Sequence, residues 1–339
     1  MASRARIRDI AERAGVSTAT VSRALSDSSL VAKATRDMIK KTAEALDYRP
    51  NVTARNLRIQ RSMSVLLVVR DMSNPFYLEV FKGVEATARA AGYSVLMGNT
   101  ENDAERERDY FNMLQDGHAD GMILMTGKLP ADNEPWEAGS PHPPIVVALE
   151  MIEGAGLPHV QIDNVSASRR ATEHLIELGH TRIAHIAGPI PEQMSVRRRK
   201  GYREAMKAAG LAIPKGFEVK GDFSLASGRA ACKTLFSGAE TPTAIFCAND
   251  EMAFGAINEL RQMGRSVPED VSVVGFDDIM FAEAFYPPLT TVSQPRAEIG
   301  ARAMAELLTV MNGEAMPPRT IEVPATLTIR GSTAAPGGA

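Results

Sequence analysis

At 339 residues and 44% apolar content, the chain is long enough for two or three domains, and it holds no run of about eighteen apolar residues to span a bilayer. The formal charge of −3 conceals an asymmetry: residues 1–61 carry 13 Lys+Arg against 6 Asp+Glu, and the remainder 25 against 35. A basic head on an acidic body points the head, and not the body, toward a polyanion such as nucleic acid. The first fifteen residues, MASRARIRDIAERAG, contain no apolar signal segment, so a cytoplasmic location is expected. Cys232 and Cys247 lie inside periodic segments rather than in a CxxC pair, which predicts buried free thiols.

Three short helices are predicted in the head. In IRDIAERAG, Ile7, Ile10, Ala11 and Ala14 fall on one helical face, and Gly15 ends the helix. VSTATVSRAL restarts with Ser17 as N-cap and with Val21 and Leu25 as an i, i+4 apolar pair. TRDMIKKTAEALDY then places Ile39, Ala43 and Leu46 on one face before Pro50. Two helices joined by a three-residue turn containing glycine and backed by a third describe a helix-turn-helix. On the second helix Val21, Ala24 and Leu25 point inward. Ala19, Ser22, Arg23 and Ser26 fall on the opposite side, with Thr18 in the first turn. Such a face can approach base edges in a major groove, where Arg23 suits guanine O6 and N7 and Thr18 or Ala19 a thymine methyl. An ordinary solvated helix face carries the same residue types.

From Ser64 onward short apolar runs alternate with helical patterns: SVLLVV, YSVLMG, DGMILM and PIVVAL, then, after IDN, RIAHIAG, TAIFC and VSVVGF. Buried strands between helices predict parallel sheets covered on both faces, in two consecutive copies. Ligands of such sheets collect beyond the carboxyl ends of the strands, and between two sheets the natural site is the cleft.

The stretch IRDIAERAGVSTATVSRALSDSSLVAKATRDMIKKTAEALDYRPNVTARNLR resembles the N-terminal domain of the LacI/GalR family of bacterial transcription repressors. The likeness continues through NPFYLEV, DGMIL, LGHTRIAHIAG, GYREAM, TAIFCANDEMAFGA, VPEDVSVVGFDD and PPLTTVSQP, so it covers nearly the whole chain. It implies an all-α helix-turn-helix domain over 1–50, a hinge helix and linker over 51–62, and an α/β core over 63–335. That core would be similar to periplasmic binding proteins, with two doubly wound parallel-sheet subdomains. The first would span about 63–163 plus 293–324 and the second about 164–292 plus 325–335. VQIDN, TTVSQP and the stretch near Pro324 are the expected crossings, and GSTAAPGGA is expected to be a flexible tail without a tetramerising helix, leaving a homodimer.

By the same resemblance, DNA contacts are expected from Ser17, Thr18, Ala19, Thr20, Ser22 and Arg23 on a pseudo-palindromic double-stranded operator. Asn51, Ala54, Arg55, Leu57 and Arg58 would add contacts from a hinge that orders on specific DNA, with Leu57 wedged between base steps. The alternative leaves Leu57 packed on the body and the segment a plain linker. The expected partners are therefore operator DNA, at which the protein would be nucleoid-associated, a small-molecule effector and a second copy of the chain.

Candidate effector residues lie at strand ends and in the loops after them: Phe76, Glu150, Arg198, Phe223, Asn249 and Asp277, with Asp250 beside them. Carboxylate, amide and guanidinium groups accept and donate paired hydrogen bonds, and phenylalanine rings stack on sugar C–H faces or bases. In the family the positions matching Arg198, Asn249 and Asp277 commonly hold the effector, and those matching Phe76 and Phe223 stack on it. Asn249 also suits an N-cap, Phe223 loop packing and Glu150 a solvated carboxylate. Arg197, Arg199 and Lys200 read as solvated helix charge. Purine-binding relatives carry an arginine and a threonine where this chain has Glu192 and Met194, which disfavours a purine base. Several scaffold stretches look most like the cytidine-responsive branch. A sugar or sugar derivative is favoured, with a nucleoside as the alternative.

No phosphate-cradling G-x-x-x-x-G-K-[ST], strand-linked G-x-G-x-x-G or G-x-S-x-G occurs, so neither an enzyme nor a bound cofactor is expected. His174, His180 and His185 are close in sequence but fall on a helix, a loop and a strand, so no metal site is expected. A solute receptor without a DNA role would fit the body alone, but not the basic head.

Overall fold

The first helix, α1 (Ile7–Ala14), starts where the Asp9 carboxylate accepts the Arg6 N–H at 2.8 Å and stops where Gly15 takes φ 65°. The three-residue turn leads to α2 (Thr18–Leu25), whose first turn is capped by the Ser17 hydroxyl accepting the Thr20 N–H at 3.1 Å. With α3 (Lys33–Ala45), these helices close a small core on Ile10, Val21, Ala24 and Ile39, all fully buried. Leu25 and Leu46 pack at its rim. The computed structural model describes residues 5–25, 29–48, 56, 59–129, 142–190, 192–313 and 319–337. It divides into two units, Met1–Ser62 and Met63–Ala339.

The second unit holds two six-stranded sheets. In the first lobe the order is β11-β5-β4-β3-β1-β2, all parallel. Its strands are β1 (Ser64–Val69), β2 (Ser94–Asn99), β3 (Gly121–Leu124), β4 (Ile145–Ala148), β5 (His159–Gln161) and β11 (Thr320–Glu322). The second lobe repeats the pattern as β12-β10-β9-β8-β6-β7, from β6 (Ile183–Ala187), β7 (Glu218–Lys220), β8 (Ala244–Cys247), β9 (Ser272–Asp277), β10 (Thr290–Ser293) and β12 (Thr326–Thr328). Only β12 departs from the parallel pattern, pairing antiparallel with β10. The central strands are apolar throughout because helices cover both faces. Val65, Leu66, Leu67, Val68 and Val69 of β1 are all buried, each stabilising the fold by about 1.5–3 kcal/mol relative to exposure.

Helices α4 (Phe76–Ala90) and α5 (Ala104–Gln115) follow the first two strands. In the second lobe come α6 (Asn164–Glu177), α7 (Gln193–Ala208), α8 (Leu225–Leu235) and α9 (Asp250–Gln262). After β10 the chain returns to the first lobe as α10 (Arg296–Met311), which packs along α4. The two backbones approach so closely that an added Cβ at Gly300 would run into the Val80 carbonyl oxygen, and one at Gly83 into that of Ala297. The chain changes sheets after β5, after β10 and between β11 and β12, the last around Pro324.

Six segments differ from the sequence expectation. VQIDN and TTVSQP are not crossings alone: each contributes a strand, β5 and β10, that ends where the crossing starts. β7, β11 and β12 were not foreseen, because three-residue strands with polar neighbours carry no readable period. Residues 331–337 of GSTAAPGGA also form no flexible tail. Ser332 is fully buried, its carbonyl accepts the Val273 N–H at 2.8 Å, and its hydroxyl accepts the Thr290 N–H at 2.8 Å. Small side chains let this segment lie against the sheet and satisfy its polar groups there. The cysteines are free and buried, as predicted.

Candidate effector cleft and DNA-reading helix

Strand ends of both lobes border a cavity of about 230 Å³ in the second unit. Phe76, Glu150, Arg198, Phe223, Asn249 and Asp277 all line it, although they come from six separate segments. Arg70 follows β1, Met125 follows β3, Leu149 and Glu150 follow β4, Asn249 follows β8, and Asp277 ends β9. The site thus lies beyond the carboxyl ends of the strands, where open parallel sheets gather ligands.

Arg198 is the deepest of these groups, at 1% exposure. Its guanidinium carbon sits 3.6 Å from the centroid of the Phe276 ring. Nε donates to Asn164 Oδ1 at 2.9 Å, and Nη1 donates to the Ala248 carbonyl at 2.5 Å while lying 3.6 Å from Asp277 Oδ1. Burial lowers the Arg198 pKa, against the pull of Asp277, Glu150 and Asp250. Gln294 Nε2 donates to Asp277 Oδ1 at 2.7 Å, yet burial pushes the Asp277 carboxyl up to about 6.

Glu150 is 3% exposed, so the solvated-carboxylate alternative is wrong. Its Oε1 accepts from Arg70 Nη2 at 3.2 Å. Burial nevertheless raises its pKa to about 7, with Arg70 opposing and Glu192 adding to the rise. Asn249 does cap α9, accepting the Met252 N–H at 3.0 Å, and donates from Nδ2 to the Phe223 carbonyl at 2.9 Å. Its amide therefore positions the Phe223 segment as well as lining the cavity. The Phe223 ring lies against Gly188, where an added Cβ would collide with it. Leu149, Phe223 and Asp277 all have positive φ (67°, 73° and 116°), a cluster of strained non-glycine backbone at one cavity.

Two expectations need correction. Asp250 does not line the cavity: it is buried behind it, accepting from Thr291 Oγ1 at 2.5 Å and from the Ile279 N–H at 2.8 Å, so it braces β10 and the loop after β9. Arg197 is half-buried rather than solvated, with Nη2 2.8 Å from Met151 Sδ. The histidines have separate partners: His174 meets Thr333, His180 meets Thr243 and Ser272, and His185 stacks between Tyr202 and Phe246.

Sequence reasoning missed Arg70, Tyr77, Glu251 and the role of Glu192. Arg70 directly follows an unbroken apolar strand, the same signal that singled out Glu150. Glu251 adjoins Asn249, and its Oε2 accepts from Asn74 Nδ2 at 3.4 Å. Glu192 has no local signal, because its partner Arg70 belongs to the other lobe.

In the first unit Ser17, Thr18, Ala19 and Arg23 are exposed, while Thr20 and Ser22 are half-buried. Ser17 and Thr20 share a 2.9 Å hydroxyl contact as well as the cap. Ser26, Asn51, Ala54, Arg55, Leu57 and Arg58 lie outside the described residues. Near them, Asn56 Nδ2 donates to the Ser62 carbonyl at 2.8 Å.

Residues 6–51 match the bacterial regulatory proteins of the lacI family, and residues 172–333 a periplasmic binding protein-like domain. Over 331 residues, 98% of this chain and 97% of the relative, the sequence is 38% identical to the HTH-type transcriptional repressor CytR of Escherichia coli K12. The chain belongs to the lacI family of bacterial regulators. This lacI-family chain is also 34% identical to the ribose operon repressor of the same strain, covering 97% of itself and 99% of that protein. Among solved structures, the Lac repressor dimer bound to operator and the anti-inducer ONPF aligns with a TM-score of 0.84 at 26% identity, over 98% of this chain and 100% of that one. The regulator CelR in complex with cellobiose aligns with a TM-score of 0.73 at 34% identity, over 97% and 100%. Among the described residues, no helix is long and apolar enough to cross a membrane.

Proposed function

We propose that this lacI-family chain is a sequence-specific DNA-binding repressor whose operator affinity is set by a small molecule held in the cleft. The observation that carries the reading is the convergence of six separate segments on one cavity at the strand ends of two parallel sheets, in a chain whose first unit has a lacI-type helix-turn-helix. The exposed Thr18, Ala19 and Arg23 leave α2 room to approach base edges. A homodimer would place two such helices in successive major grooves of a pseudo-palindrome. Asn51, Ala54, Arg55, Leu57 and Arg58 are carried forward as proposed hinge contacts on the strength of the family resemblance.

A sugar or sugar derivative is the favoured effector. Carboxylates and a guanidinium beside two phenylalanine rings match polyhydroxylated ligands, and the CelR structure holds cellobiose. The effector acts by binding the open and closed forms of the cleft with different affinities. The test is a mobility-shift assay on pseudo-palindromic fragments with and without candidate ligands, from low to high salt. Sequence-selective, strongly salt-dependent binding is expected. Binding with no sequence preference, or operator affinity indifferent to every ligand that occupies the cleft, rejects the proposal.

A further inference from the structure

Among the described residues two cations line the cavity, and each is paired with carboxylate. Arg70 lies between Glu150 at 3.2 Å and Glu192 at 2.5 Å. Arg198 faces Asp277 and spends its donors on Asn164 and the Ala248 carbonyl. Among the described residues no lysine or histidine lines the cavity, whereas Asp71, Asp222 and Glu251 add three further carboxylates. Glu251 is pushed up to about 7, by burial first and then by Asp277 and Asp71, so added negative charge is disfavoured there.

Four helices also begin at this cavity, and bare helix N-termini would attract an anion. Three are capped from within: Asn74 Oδ1 accepts the Phe76 N–H at 2.8 Å, Ser224 Oγ the Ser227 N–H at 3.1 Å, and Asn249 the Met252 N–H. The fourth, α7, has no side-chain cap, and its N-cap residue is Glu192, whose carboxylate pairs with Arg70. Beside the paired arginines, the cavity offers carboxylate acceptors and the neutral polar side chains of Ser73, Tyr77 and Asn102.

We infer that the cleft selects its effector by charge: it takes an uncharged or amine-bearing polyhydroxylated molecule (a sugar, amino sugar or nucleoside) and rejects the phosphorylated form of the same molecule. The inference rests on the effector reading above and deepens it. A ligand hydroxyl or amine donates to Glu150, Glu251 or Asp277, and ligand oxygens accept from neutral donors such as Tyr77 and Asn102. A phosphate would meet carboxylates with no free cation to offset them, and like charges brought together cost several kcal/mol.

The experiment is isothermal titration of the full-length protein with matched pairs: ribose and ribose 5-phosphate, glucose and glucose 6-phosphate, cytidine and cytidine 5′-monophosphate, with glucosamine beside glucose. Binding is expected only among unphosphorylated members, each at least about 100-fold tighter than its phosphorylated partner. A phosphorylated member that binds as well as its parent overturns the inference. If nothing binds, the effector reading falls and the inference with it. A ligand that shows the charge preference but leaves operator affinity unchanged upholds the inference and rejects the effector reading. Glu192→Gln then tests the cause: taking away one of the two carboxylates on Arg70 is expected to narrow the parent-to-phosphate ratio about tenfold. A purely structural effect would weaken both members alike, and an unchanged ratio removes Arg70 neutralisation as the basis.

Discussion

Arg70 and Glu192 meet at 2.5 Å across the cleft, joining the end of β1 in the first lobe to the residue before α7 in the second. The contact is a close ion pair rather than an aligned hydrogen bond, and Arg70 keeps a second carboxylate, Glu150, on its own lobe. Burial alone would lower the Arg70 pKa. The surrounding Tyr77, Glu192 and Glu150 raise it instead, so the guanidinium stays charged at every accessible pH.

Removing the cross-cleft partner should therefore loosen closure without unfolding either lobe. Glu192→Gln is expected to cost about 2 kcal/mol in chemical denaturation, less than for a buried pair broken outright, because Glu150 still neutralises Arg70. Hydrogen exchange at the start of α7 should rise in the same variant. Unchanged exchange there would show that the pair does not hold the lobes together.

The raised carboxyl of Glu150 gives stability a definite pH trend. Its pKa is about 7 in the folded chain against a reference of 4.5, so the folded state keeps the proton longer than the unfolded state does. Stability from this group is full below about pH 4.5 and is lost as pH rises toward 7, with a slope of up to ~1.4 kcal/mol per pH unit. The groups acting on it are Arg70, Glu192, Arg198 and the Met194 N–H. Glu150→Gln should flatten the slope between pH 5 and 7 in denaturation titrations, and an unaltered slope would assign the trend to other carboxyls.

Gly300 governs how α10 rejoins the first lobe. Gly300→Ala forces a Cβ onto the Val80 carbonyl, a backbone atom that cannot swing aside. A loss of about 1–3 kcal/mol is expected in thermal or chemical unfolding. Wild-type stability in the variant would mean that the α4–α10 spacing adjusts freely.

On the DNA side, Arg23→Ala is expected to cost about 1–3 kcal/mol of operator affinity and to relax choice at one base pair. Selection from a randomised operator library reads both effects. A variant that selects the same sequence as the wild type takes Arg23 out of base readout.

The amino-acid order alone determined the local periods and their sequence of appearance. Ile7, Ile10, Ala11 and Ala14 mark one helix face, and SVLLVV followed by a helical pattern marks a buried parallel strand. Strand ends in such sheets collect ligand groups, which is why Glu150, Asn249 and Asp277 were legible as positions lining one cavity. Tertiary structure decided what required partners distant in sequence. Arg70 and Glu150 are 80 positions apart, and nothing local to either states that they pair or that burial shifts the carboxyl toward neutrality. The three-residue strands β7, β11 and β12 exist because a neighbouring strand supplies their hydrogen bonds. GSTAAPGGA likewise looks like a solvated tail until the edge groups of Val273 and Thr290 give Ser332 its partners. Short-range pattern sets which elements form, but burial and charge neutralisation depend on what the folded chain brings alongside.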